Sequence, residues 1–136
     1  MQMTPLIAVH ATAALLAVAT GPVALWARRG RAPYPRLHRA FGYAWVTLML
    51  VAAVSALFIR DHAFPNVAGY TPIHLLVPLT LAGLFRAFRA LALGDLRTHR
   101  MTMQLLYIGA CLVAGAFTLL PQRYFGQLVW NQLGLL

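Results

Sequence analysis

Four stretches of this chain, 4–26, 38–60, 73–93 and 98–120, are apolar over most of their length. A helix rises ~1.5 Å per residue, so ~20 apolar residues cross the ~30 Å of hydrocarbon in a bilayer. Each stretch is long enough for one crossing, and the connections between them are short and punctuated. Pro33 and Pro35 interrupt the first connection, Gly94-Asp95 breaks the last, and "RDHAFPNVAGYTP" supplies Pro and Gly turn chemistry between the second and third. Residues 122–136 carry Tyr124, Phe125 and Trp130 at spacings suited to a short segment lying in the membrane interface. The pattern predicts one all-α domain over residues 1–136: an integral membrane four-helix up-down bundle with a short interfacial C-terminal segment.

Composition agrees. Hydrophobic residues make up 61% of the 136 and charged residues only 10%, with a mean hydropathy of +0.72, and a water-facing surface cannot be built from that. "MQMTP" has no basic n-region, so the first stretch is expected to be a retained span rather than a cleaved signal. The single cysteine, Cys111, falls inside the fourth span and reads as a small apolar filler.

The formal charge of +9 would suit a nucleic-acid binder only if the cations shared one face, and they do not. Arg28, Arg29, Arg31, Arg36 and Arg39 lie between the first two spans, and Arg86, Arg89, Arg97 and Arg100 lie around the junction of the last two. Only Arg60 and Arg123 are left for the other side. The positive-inside bias therefore predicts a multi-pass protein of the bacterial inner membrane, with the arginine-rich turns cytoplasmic and both termini outside. The partner this implies is the lipid bilayer, not nucleic acid; a homo-oligomer or a place in a larger membrane complex also stays open.

The histidines carry the candidate chemistry. His10 and His74 fall near the outer ends of spans one and three, and His38 and His99 open spans two and four from the arginine-rich side. They sort into two layers of two. In an up-down bundle each pair belongs to diagonal helices, so two imidazoles in each layer can face each other across the centre. Intramembrane ionisable residues are costly and point to function, and imidazole ligates iron, copper and zinc. Zinc commonly takes three or four protein ligands, and Asp61 and Asp95 lie only at the bundle ends. Haem needs just two axial ligands, so two layers fit two haems b. Gly42, four residues after His38, leaves room for a flat macrocycle, though small residues also serve plain helix packing. Arg39 and Arg100 beside the inner histidines, and Arg60 and Arg123 with Tyr70 outside, are candidate partners for propionates; the alternative is that they reach to lipid headgroups.

A repeat ties these residues together. His10 and His74 are 64 residues apart, His38 and His99 are 61, and Arg60 and Arg123 are 63, as two copies of one hairpin would give. Pro22 and Pro78 are expected to kink spans one and three, Pro78 by freeing the carbonyl of His74. "LHRAFGYAW" opening span two, with "LML" and "SALF" after it, and "RTHRMTMQLLY" opening span four resemble the bacterial four-helix membrane proteins grouped as domain of unknown function 2306. The two histidine layers are similar in architecture to the transmembrane b-type dihaem cytochromes of cytochrome b561 type, which implies one-electron transfer from a quinol or another small reductant. The expectation is an electron-transfer protein with iron held by His10 and His74 and by His38 and His99, and with quinone as a possible second cofactor. A cofactor-free accessory or assembly subunit, with histidines bonding helix to helix, is the second reading. A metal-ion binder or transporter using the histidines with Met101 and Met103 is the third. His62 reads as a solvated loop residue.

Overall fold

A computed structural model of the chain describes residues 3–28, 34–60, 62 and 65–135; Arg29, Arg31 and Asp61 lie outside them. Helix α1 runs over Pro5–Trp26 and α2 over Pro35–Phe58. A 3₁₀ turn at Pro72–Leu75 leads into α3, Leu76–Ala92. The last crossing is composite: α4 at Leu96–Leu106, a π-helical stretch at Tyr107–Val113, and α5 at Ala114–Thr118. A short α6, Tyr124–Gln132, follows. The four crossings expected from the sequence are thus present, each long and apolar enough to span a bilayer. Span two starts three residues earlier than expected, because Pro35 takes the first helical position, where its missing N–H and fixed φ cost nothing.

The helices close a ring in which α1 meets α2, α2 meets α3, α3 meets α4, and the π-helical stretch returns to α1. α1 is apolar on nearly every side, so hydrophobicity does not choose its inward face; side-chain size does. On α1 the buried positions are Ala13, Ala17, Gly21 and Ala24, a stripe with helical period. Larger apolar residues such as Leu15, Phe85 and Leu105 stay exposed, as lipid-facing positions should. The small stripe of α1 admits the large residues of its neighbours. Ala17 packs with Trp45, Met49, Leu84 and Cys111 in the central cluster, and Tyr107 lies against it.

The two prolines behave differently. Pro78 sits in the first turn of α3, where helices have no intrahelical bond to lose, and the His74 carbonyl is taken by the Leu76 N–H of the 3₁₀ turn. Pro78 therefore costs α3 no intrahelical hydrogen bond, and His74 stands in the turn before α3 rather than inside it. Pro22 is a true interior proline of α1. Lacking an N–H, it leaves the carbonyl four residues back, on Val18, without its helical partner. The Tyr107 hydroxyl donates to that oxygen at 2.9 Å. Gly21 makes this possible: a Cβ there would collide with the Tyr107 ring.

Short contacts fix the ends. The Asp95 carboxylate accepts from the Thr98 N–H at 3.0 Å and caps α4. Gly94, at φ +76°, makes the left-handed turn that ends α3. The tail folds back: the Trp130 Nε1–H donates to the Leu119 carbonyl at 2.8 Å, and a Cβ on Gly126 would overlap the Leu120 carbonyl.

The Val18 carbonyl gives a double-mutant test. Tyr107→Phe should destabilise the protein by about 1–3 kcal/mol, the penalty of an unsatisfied buried acceptor. In a Pro22→Ala background, where an N–H at position 22 bonds Val18 directly, the same change should cost well under half as much. Unfolding in mixed micelles measures both; equal costs in the two backgrounds would refute the link.

Candidate functional site

All four intramembrane histidines fall on inward stripes. His10 precedes Ala13 by three residues, His38 precedes Trp45 by seven, His74 precedes Val77 by three and His99 precedes Thr102 by three, and each reference residue is buried. Every one is tied to the backbone of another segment. His10 Nδ1 lies 2.9 Å from the Ala52 carbonyl and 3.0 Å from Ser55 Oγ, on α2. His38 Nδ1 lies 2.8 Å from the Ala24 carbonyl on α1, and His99 Nδ1 lies 2.9 Å from the Ala87 carbonyl on α3. His74 reaches the Ile59 carbonyl at the end of α2 through Nε2, at 2.9 Å.

These partners fix the tautomers. A carbonyl can only accept, so the bonded nitrogen carries the proton. In His10, His38 and His99 that nitrogen is Nδ1, and Nε2 makes no hydrogen bond to any described residue. This is the arrangement in which a backbone carbonyl orients an imidazole and leaves the other nitrogen's lone pair available. His74 differs. Its Nε2 carries the proton, and its Nδ1 is engaged by Thr71, 3.1 Å from the backbone N–H and 3.2 Å from Oγ1. The pattern Thr71-x-x-His74 is a capping box in which histidine fills the place usual for Glu or Gln, a signal present in the sequence but hidden by that substitution.

The inner pair is matched in depth. Cys111 Sγ meets Met49 Sδ at 3.5 Å across the centre, which sets the register of the last crossing against α2. His38 lies eleven residues before Met49 and His99 twelve before Cys111, so both stand roughly 16–18 Å from that contact, toward the arginine-rich end. Gly42 has open space where a side chain would be. Arg39 and Arg100 are exposed. Asp95, four residues before His99, accepts hydrogen bonds from the Thr98 side chain and backbone, which hold its carboxyl below the ordinary carboxylate range.

The opposite end is built otherwise. Arg60 lies over the Tyr70 ring at 3.7 Å and donates to the Ala68 carbonyl at 2.8 Å, and Tyr70 meets His74 edge-on at 5.1 Å. Arg60 and Tyr70 therefore order the loop around His74. Arg123 is half-buried at the start of α6. His62 is exposed, beside Gly69. Met103 packs against the central cluster while Met101 is exposed, so the two methionines do not share a site, and among the described residues no three His, Cys, Asp or Glu side chains gather as metal ligands.

Four apolar crossings around a small-residue seam, with backbone-anchored imidazoles at two levels, define a multi-pass helical membrane protein. The chain belongs to the family described as "Predicted membrane protein (DUF2306)", whose profile matches residues 7–129. No curated protein and no solved structure matches it.

Asp95 yields a pH-dependent outcome. Its carboxyl is shifted down on folding, so its cap stabilises α4 fully above the unfolded value of about 3.9 and is lost as pH falls through the lower folded value. Exchange protection of the Thr98 amide, corrected for intrinsic rates, should be pH-independent above about pH 5 and fall below about pH 4. Asp95→Ala should lose that protection at neutral pH as well.

Proposed function

We propose that the chain is a one-electron carrier of the bacterial inner membrane that holds a haem b between His38 and His99. The observation that carries this reading is the shared state of the two side chains: Nδ1–H fixed on a backbone carbonyl, Nε2 free, equal depth on crossings that meet at the bundle centre. The bound group would supply a reversible one-electron couple. The chain's own contribution is to hold both imidazoles in one tautomer, to keep the site within apolar helices, and to place the cations Arg39 and Arg100 beside it. Those cations favour the reduced, more negative state and are suited to propionates.

The second pair does not fit the same role. His74 Nε2 is protonated against Ile59 and Nδ1 is engaged by Thr71, which leaves His74 no lone pair for iron. We derive no step through a second haem. That pair favours instead the helix-to-helix bonding of a cofactor-free bundle, which is the competing reading for the whole protein.

A visible spectrum of protein purified from haem-replete cells separates the two. The expected result is a Soret band, a sharpened α band on dithionite reduction, and about one haem per chain. His38→Ala and His99→Ala should each remove it, while His74→Ala should not. Arg39→Gln or Arg100→Gln should retain the haem and lower its potential by roughly tens of millivolts, since a nearby cation is lost. A colourless protein from such cells refutes the proposal.

The arginine distribution supports an orientation with the His38–His99 end cytoplasmic and both chain ends outside. A C-terminal alkaline phosphatase fusion should be active and a C-terminal fluorescent-protein fusion dark; the reverse pair would invert the orientation.

A further inference from the structure

One side-chain amide at membrane depth is left without a partner among the described residues, along the seam between α1 and the last crossing. The Gln104 side chain makes no hydrogen bond to any described residue, and it lines a cavity of about 320 Å³ with Leu25, Tyr107 and Ile108. Gln104 is eight residues from the start of α4, about 12 Å into the helix, past the headgroup layer. The Trp45 indole N–H is buried, with the residue only 5% exposed, and has just the Cys111 sulfur, a weak acceptor, within reach among the described residues. It faces Gly21, one turn along α1 from Leu25, and the Tyr107 ring that closes over Gly21 is also a wall of the cavity. An unpartnered amide is costly in hydrocarbon, so a bundle that satisfies even the Val18 carbonyl is not expected to leave Gln104 without an acceptor at this seam.

The lining selects the occupant. Among the described residues no charged side chain lines the cavity, which suits a neutral ligand. The seam lies between helices at hydrocarbon depth, so the ligand is soluble in lipid. An acyl chain would leave the Gln104 amide unsatisfied. The volume is at the lower end of small-molecule sites, enough for a single six-membered ring with substituents. A neutral, flat, lipid-borne ring with carbonyl acceptors is a quinone.

We propose that the cavity between α1 and α4 binds the headgroup of a membrane quinone, with the Gln104 amide donating to a ring carbonyl. The ring lies against Tyr107, and the tail leaves between Leu25 and Ile108 toward lipid. Gln104 is five residues beyond His99 on the same helix, and Leu25 is adjacent to Ala24, the carbonyl partner of His38, so the cavity adjoins the proposed haem site. The binding site itself rests on the cavity and on Gln104, and stands whether or not haem is bound.

Binding of a decyl-tailed benzoquinone to the full-length protein in phosphatidylcholine nanodiscs tests this, with free quinone read by ultrafiltration and empty nanodiscs subtracted. Saturable binding of about one quinone per chain is expected. Gln104→Leu should weaken it roughly tenfold, the value of one well-placed hydrogen bond away from water. Leu25→Trp, which fills the cavity while keeping the span apolar, should abolish it. Decanol, with the tail and no ring, should not compete. Non-saturable uptake equal in wild type and both variants overturns the proposal, as does equal competition by decanol, which would make the cavity a lipid-tail groove. The visible spectrum reports separately on haem, so failure of one proposal is not mistaken for failure of the other.

Discussion

The bundle depends on one carbonyl. Pro22 removes an N–H from the middle of α1, and in hydrocarbon no water can replace it, so the Val18 oxygen must be met by another helix. Tyr107 meets it from the far end of the sequence, and Gly21 clears the space its ring occupies. One interaction thereby draws the last crossing onto the first and closes the ring of helices. The π-helical stretch that starts at Tyr107 belongs to the same arrangement: its wider turn brings Tyr107 toward α1 while Cys111 meets Met49 on α2.

The histidine bonds extend the same accounting. The Ala24 carbonyl lies among the last four of α1, and Ile59 follows the end of α2, so His38 and His74 satisfy oxygens that a helix end leaves open. His10 and His99 add second donors to carbonyls within helices. Each imidazole joins two segments and is itself held rigid. The Nε2 that has no hydrogen-bond partner among the described residues in three of them is therefore fixed in direction by packing already required for folding, the kind of preorganisation a ligand site needs.

The repeat is real at one end and broken at the other. His38 and His99 make equivalent bonds, to carbonyls 14 and 12 residues earlier in their own hairpins. By the same symmetry His74 should bond the last crossing as His10 bonds Ala52, near Gly115. It bonds Ile59 instead, because the 3₁₀ turn capped by Thr71 carries it outside α3 and toward the end of α2. Two hairpins of common pattern thus present two different ends: one with two imidazoles of the same tautomer under exposed arginines, the other with a histidine built into a loop that Arg60 and Tyr70 order.

Hydropathy alone determined the four crossings, their approximate ends and the concentration of arginine at one end, because length and solvation free energy are properties of each segment by itself. The depth of His10, His38, His74 and His99 followed by counting residues. α1, apolar on nearly every side, does not announce its inward face, and the spacing of Ala13, Ala17, Gly21 and Ala24 acquired meaning only when Trp45 and Tyr107 filled the space they leave. The tautomer of each histidine was likewise beyond the sequence, since the deciding carbonyls lie on other segments, 12 to 42 residues away in the three that leave Nε2 free. Tertiary structure also decided that Pro22 would be answered by Tyr107, 89 residues from Val18: an unsatisfied carbonyl in lipid demands a donor, but only packing decides which one arrives.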